Sequence, residues 1–183
     1  MTDTNEETDM WTTLDSPAGP IRVVADHDAV TSIEFTGPIA ENASPRSSIR
    51  VAADRSEGRD AGDRDDADPL LAEAVRQLSA YFARELKEFD LPLRPGGTAF
   101  QERVWAELRR IGYGETASYG QIATRLGMAA GASRAVGMAN GRNPIGIVIP
   151  CHRVVGAKGS LSGYAGGVER KHLLLELEQS GLF

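Results

Sequence analysis

The seven residues at 91–97, Leu-Pro-Leu-Arg-Pro-Gly-Gly, cut the chain in two. Two prolines withhold backbone donors and two glycines loosen the backbone, so neither a helix nor a central strand can run through them. The stretch reads as a linker, with a first unit over 11–90 and a second over 98–183. Charge follows the same division. Residues 1–99 carry 10 Lys+Arg against 20 Asp+Glu, and residues 100–183 carry 10 against 6, so the net charge of -6 joins a half at -10 to a half at +4. Between 103 and 153 there are seven arginines, no lysine, and only Glu107 and Glu115 as acids. A polyanionic partner would be met by the second half, unless the arginines are simply a solvated basic face.

In the first unit, residues 1–10 read as a disordered tail, acidic where a secretory signal would begin basic. No apolar run approaches the ~18 residues that a membrane span needs, so the expectation is a cytoplasmic protein with no membrane partner. Alternating apolar residues at 21–24 and 30–35, separated by the turn-like Asp26-His27-Asp28, predict a β-hairpin. Aromatic residues vanish between Gly37 and Pro69, and 54–68 holds seven acids and three arginines. The whole of 37–68 reads as a mobile acidic loop, a solvated insertion in preference to a partner-binding tail. From Pro69 the apolar residues Leu71, Ala74, Val75, Leu78, Tyr81, Phe82 and Leu86 recur at helical spacing and predict a core-facing helix.

In the second unit, Thr98 can cap a helix bearing Phe100, Val104, Trp105, Leu108 and Ile111, stopped at Gly112-Tyr113-Gly114. Ser118 can cap a short helix with Tyr119, Ile122, Ala123 and Leu126. A third helix runs from about Ala132 to Asn140, with Ala132, Ala135, Val136 and Ala139 spaced to face inward. The pattern is helix-turn-helix. Its outward face reads Arg134, Gly137, Met138 and Gly141. A glycine costs a helix roughly 1 kcal/mol relative to alanine. Glycines there suit a surface that another backbone must approach, the alternative being a helix that frays.

After Asn143-Pro144, Ile145–Ile149 reads as a short buried strand leading into Pro150-Cys151-His152-Arg153-Val154. Cys151 is the one cysteine in the chain, so it can form neither an internal disulfide nor a multi-thiolate zinc site. With it set aside, His27, His152 and His172 do not make a metal centre. Cysteine beside histidine is the smallest nucleophile and base unit, because the thiolate is the reactive species and a neighbouring imidazole can generate it. The pair by itself is weak evidence, since a buried structural cysteine next to a satisfied histidine is the commoner situation.

The surrounding residues are more specific. Pro150-Cys151-His152-Arg153-Val154 resembles the signature of the O6-alkylguanine-DNA alkyltransferases. The resemblance extends in order through Phe100-Gln101 to Trp105, Gly114-Glu115-Thr116 to Ser118-Tyr119, Arg134-Ala135-Val136-Gly137, Asn143-Pro144, 147–155, Gly163-Tyr164 with Gly166-Gly167, and Arg170-Lys171 before a leucine-rich helix. It covers 98–180, whereas 10–90 is similar in layout alone. It implies an α/β two-domain protein: a small ribonuclease-H-like N-terminal domain and a C-terminal helical winged-helix domain. The implied activity is DNA repair by direct reversal, an irreversible methyl or alkyl transfer from O6-alkylguanine to Cys151, once per molecule and without a cofactor. The implied partner is double-stranded DNA, bound through its minor groove by a monomer, with the lesion base flipped out of the stack.

Carried over by position, Cys151 matches the acceptor and His152 the base that takes its proton through a water. Glu178 matches the acid that orients His152, with Glu176 as a rival on another side of the helix. Tyr119 matches the hydroxyl donor to guanine N3, and Asn143 the brace of the turn before the site. Arg134 matches the finger that fills the vacated stack, with Ser133 and Gly137 beside it on the DNA-facing helix. The carbonyls of Cys151 and Val154 would read the guanine amine, and Tyr164 would wall the pocket. Ala165 stands where some relatives carry serine, which removes a side-chain hydrogen bond near O6 and leaves the preference among alkyl groups open. A non-catalytic alkylated-DNA-binding protein would keep this pattern but replace the cysteine. A Cys-His hydrolase using Asn143 would have no need of the helix-turn-helix, and a transcription regulator would leave Cys151 and Glu178 unexplained.

Overall fold

In the computed structural model, residues 9–39, 62–129, 131–161 and 163–179 are described. The anticipated hairpin is present as β2 (Ile21–Ala25) and β3 (Val30–Phe35), which pair antiparallel. β2 alternates in burial, with Ile21, Val23 and Ala25 inside, as a half-covered strand requires. A further strand, β1 (Met10–Leu14), begins within the stretch read as a tail and pairs antiparallel with β2. It is harder to read because its inward residue is Thr12, which donates to Asp66 at 2.7 Å. Of the expected tail, 1–8 lie outside the described residues.

The acidic stretch behaves differently from a loop throughout. Residues 40–61 lie outside the described residues, but Asp63–Arg64 forms β4, which pairs parallel with Met10 and Trp11. Trp11 Nε1 donates to the Gly62 carbonyl at 3.2 Å, and the Arg22 and Arg64 guanidinium groups sit 4.6 Å and 5.6 Å from the Trp11 ring centre. Sheet order is β3-β2-β1-β4.

Asp68 then caps α1 (Pro69–Phe82), its carboxylate accepting from Leu71 N at 2.9 Å, with Pro69 in the first turn where no donor is missed. Leu71, Ala74, Leu78 and Tyr81 are buried on the sheet side. The helix stops at Phe82 and Arg84 takes φ 62°, so Leu86, read as part of the stripe, lies beyond the helix. The 91–97 stretch expected to be a linker is pinned to the sheet: Val30 N donates to Pro92 O at 2.8 Å, Arg94 N donates to Val30 O at 2.9 Å, and Arg94 pairs with Asp26.

Thr98 and Gln101 form a capping box at the start of α2 (Ala99–Leu108), and Ser118 and Gln121 form another at α3 (Tyr119–Arg125). The third helix, α4 (Ser133–Asn140), has no side-chain cap. Val136, Ala139 and Asn140 are its buried residues, whereas Ala135, expected to face inward, is exposed. The buried set at steps of three and four puts Asn140 on the inner stripe and turns Ala135 out. Trp105 Nε1 donates to Ala139 O at 2.9 Å and locks α2 to α4.

Residues 145–149 are buried as expected, except for the half-buried Gly146, but do not form a strand. Ile145 makes one parallel bridge to Ile33, and the chain then coils tightly, with Val148 N on Gly146 O, Ile149 N on Ile145 O, and Ile147 at φ 70°. A β-branched residue tolerates that φ poorly, so the turn needs outside support. Asn143 supplies it, its amide donating to Ile149 O at 2.8 Å and its oxygen accepting from Ile145 N at 3.0 Å. A 3-10 turn, Cys151–Arg153, leads into β6 (Val154–Val155), which pairs parallel with β5 (Ala117–Ser118). α5 (Val168–Gln179) packs over that turn. One apolar core runs from Ile21 and Tyr81 through Trp105 and Ile149 to Leu174.

Candidate active site

Cys151 and His152 begin the 3-10 turn, and both are buried, His152 completely. Burial pushes the Cys151 thiol above its ordinary value, against a hydrogen bond from the Asn143 side chain and the positive charge of Lys171, both of which favour thiolate. The resting group is therefore the thiol, and reaction needs a base. His152 Nε2 lies 2.7 Å from Glu178 Oε1, with both side chains inaccessible to solvent. Burial lowers the His152 pKa while Glu178 pulls it up, and the net effect is a neutral imidazole at neutral pH.

Glu178 stays ionised: burial alone would raise its carboxyl, but the His152 and Arg153 hydrogen bonds and charges hold it at about 2. An ionised acceptor at Nε2 places the imidazole proton there and leaves the lone pair on Nδ1. Nδ1 is buried and has no hydrogen-bond partner among the described residues. A proton acceptor thus sits next in sequence to the thiol.

Glu178 also receives Arg153 Nε at 2.9 Å on Oε2 and Arg153 Nη2 at 3.0 Å on Oε1, Tyr81 Oη at 2.7 Å on Oε1, and Gly114 N at 3.2 Å on Oε2. Arg153 Nη1 donates to Ile111 O at 2.6 Å. Glu176, the rival acid, is exposed and pairs with His172 at 3.4 Å. Tyr81, Arg153 and Gly114 carried no separate site role in the sequence. Tyr81 looked like one more apolar position on a helix, and its partner is 97 residues away.

Lys171, on α5, is fully buried, and its ammonium is 5.9 Å from the centre of the Tyr119 ring. Tyr119 opens α3, half-buried, and its phenol is raised by burial and by the neighbouring Cys151. Gly137 lies over this ring, where a Cβ would come 3.7 Å from it, and Gly163, at φ +75°, would bring a Cβ to 2.9 Å from the Tyr119 hydroxyl. Asn140 was not singled out by sequence; its amide donates to the Cys151 carbonyl at 3.3 Å, which also accepts from Val154 N. That carbonyl is thus already engaged twice inside the protein.

Tyr164, Ala165 and Val168 face Gly137, Met138 and Arg142 across an open groove between α4 and the segment before α5. Met138 and Val168 are the large apolar side chains most exposed among the described residues. Burial raises the Tyr164 phenol well above its ordinary value, with the Cys151 charge acting in the same direction. Val154 is buried in β6. Arg134 is exposed at the start of α4, and Ser133 beside it lines a second depression together with Ser118, Gln121 and Arg125.

Arg170 holds the groove segment to the first unit. Its Nη1 donates to Gly166 O at 3.1 Å, its Nε to Ala18 O at 2.8 Å, and its Nη2 to Gly37 O, while the guanidinium lies 4.5 Å from the Phe35 ring centre.

Comparison with known proteins agrees with this arrangement. Residues 10–95 match the family model for the ribonuclease-like domain of 6-O-methylguanine DNA methyltransferase, and residues 99–180 match the model for its DNA binding domain. The chain is 46% identical over 170 residues to a methylated-DNA--protein-cysteine methyltransferase of Mycobacterium tuberculosis, covering 93% of this chain and 92% of the other. A protein of the same name from Methanosarcina acetivorans is 45% identical over 167 residues, covering 91% and 96%. Among solved structures, the Mycobacterium tuberculosis O6-methylguanine methyltransferase superposes with a TM-score of 0.76 at 45% identity, over 96% and 95% of the two chains. The Mycobacterium tuberculosis OGT in complex with DNA gives the same score and identity, over 94% of each. The chain belongs to the 6-O-methylguanine DNA methyltransferase family, with an α/β ribonuclease-like unit followed by a helix-turn-helix DNA-binding unit.

Proposed function

We propose that Cys151 accepts the alkyl group of O6-alkylguanine from double-stranded DNA, irreversibly and once per molecule. The observation that carries this is the buried Cys151-His152-Glu178 arrangement, with the thiol protonated at rest, the imidazole neutral, and Nδ1 left as the open acceptor. The thiol proton passes to Nδ1 through a bridging water, and Glu178 stabilises the imidazolium that results. Sγ then attacks the alkyl carbon as the carbon–O6 bond breaks, and the electron pair departs with the guanine. The Tyr119 hydroxyl donates to N3 and so disperses that charge, helped by the Lys171 ammonium nearby. The sulfur keeps the group as a thioether, so no cofactor is required.

The chain binds DNA through its second unit, and we place the minor groove against α4. Gly137 and Gly141 add no side-chain bulk beside the exposed Met138, Arg134 is exposed at the start of the helix, and the flipped base enters the groove bounded by Tyr164 and Ala165. Ser133 and the first turn of α4 take backbone phosphates. The division at 91–97 separates the two units, and the protein works as a monomer in the cytoplasm. A duplex with a radiolabelled O6-methylguanine tests this directly. Label fixed on protein at one methyl per chain, mapped to Cys151, is the expected result, and Cys151→Ser abolishes it while duplex binding persists. Repeated turnover, or label retained by the serine variant, contradicts the reading. Binding without label transfer by the unaltered chain favours a non-catalytic lesion-binding protein.

A further inference from the structure

The relay is built by both halves of the chain, because Tyr81 belongs to α1 and the remaining groups belong to the second unit. We propose that Tyr81 is a positioning residue for alkyl transfer, its hydroxyl sharing Glu178 Oε1 with His152 and so setting how strongly the carboxylate supports the imidazole. This rests on the reading of His152 as the base.

The geometry leaves the phenol little choice. The Tyr81 ring is fully buried and held edge-on by Phe82 at 5.3 Å and Tyr113 at 6.1 Å, with Phe89 tilted against it at 5.5 Å. A phenylalanine would fill that aromatic cluster equally well, so packing does not call for the oxygen. The oxygen lies 2.7 Å from Glu178 Oε1, the same distance at which His152 Nε2 meets that atom. Burial and the Glu178 charge raise the phenol far above neutrality, so it donates at every working pH.

Three donors therefore draw on one oxygen: Tyr81 Oη, His152 Nε2 and Arg153 Nη2. Each withdraws charge that the others could have used, so the share left for His152 depends on whether Tyr81 is present. The charged and titratable groups facing this cluster are His152 and Arg153 from the 3-10 turn, Glu178 and Lys171 from α5, and Tyr113 from the loop after α2. Removing the Tyr81 hydroxyl strengthens the Glu178 hold on His152, makes the imidazole easier to protonate, and disables the base at a higher pH.

The test uses the full chain and two substrates, free O6-benzylguanine and a methylated duplex, with single-turnover rates followed between about pH 5 and 8.5. In Tyr81→Phe the acid limb of both profiles moves up by ~0.5 pH unit, with duplex affinity unchanged. Incorporation of 3-fluorotyrosine at position 81, a stronger donor of nearly the same shape, moves the limb down, and it keeps the test open if the phenylalanine variant fails to fold. An acid limb identical to that of the unaltered chain in the folded variants overturns the proposal, because a purely structural hydroxyl changes stability alone. Absence of transfer by the unaltered chain at every pH overturns instead the assignment of the site on which the proposal stands.

Discussion

Replacing the Glu178 carboxylate by an amide keeps its volume and removes the charge that Arg153 and His152 both face. Breaking a buried ion pair from one side leaves the other charge uncompensated, which costs about 3–5 kcal/mol. Glu178→Gln is therefore expected to lower the unfolding free energy measured by urea titration by that order and to slow single-turnover transfer at least tenfold, since the imidazolium loses its counter-charge. Glu176→Gln, on the exposed side of α5, is expected to stay within about 0.5 kcal/mol of the parent and transfer normally. The reverse ranking would mean that the acid had been placed on the wrong face of the helix. Glu178 is legible in sequence through the family resemblance, which implies an orienting acid at that position. Its four other hydrogen bonds are not, because Tyr81, Gly114 and Arg153 reach it through tertiary packing that no local spacing records.

Helix α4 shows how far periodicity carries at the scale of one element. Its place and length follow from pattern, and Arg134 and Met138 are exposed as expected, whereas Gly137 lies half-buried over the Tyr119 ring and Gly141 follows the helix end. Pattern does not fix the rotation at Ala135, because alanine sits equally well inside and out, whereas the Asn140 bond to the Cys151 carbonyl decides the inner stripe. The segment 145–149 misleads for a related reason: a run of β-branched residues signals burial, and the side chain of Asn143 turns the buried run into a coil. Arg134 leads α4 on its exposed side, and a planar cation stacked into the space left by a flipped base recovers part of the few kcal/mol of unstacking. Arg134→Ala is expected to slow transfer from duplex DNA, at saturating concentration, at least tenfold more than transfer from free O6-benzylguanine. Equal losses on both substrates would make the arginine a support of the pocket, and a weaker affinity with an unchanged saturating rate would make it one phosphate contact among several.

At the scale of the whole molecule, the buried relay ties folding to acidity. Glu178 titrates at about 2 in the folded chain against an ordinary 4.5, so its stabilisation is complete above about pH 4.5 and is lost as pH falls toward 2. His152 acts in the same direction, because its folded pKa lies below its ordinary 6.5 and the unfolded chain takes up the proton first. Urea midpoints are therefore expected to begin falling below about pH 6.5 and to steepen below about pH 4.5. A midpoint flat from pH 7 to 3.5 would contradict the buried ionisation assigned to this pair. The two halves expected on either side of 91–97 are joined more closely than a linker implies, and the Arg170 contacts show what that joining means for sequence drift. The arginine reads backbone carbonyls at Ala18 and Gly37, yet both positions are tight, because Ala18 is fully buried and a Cβ at Gly37 would lie 3.1 Å from Pro20 Cγ. Gly19 is tighter still, since at φ +102° a single added methyl would lie 2.5 Å from Pro38 O and 3.1 Å from Arg170 Nη2. A substitution in this buried turn of the first unit would thus be inherited as a displacement of the segment before α5, and halves exchanged between two relatives would stay compatible only where both keep that turn open.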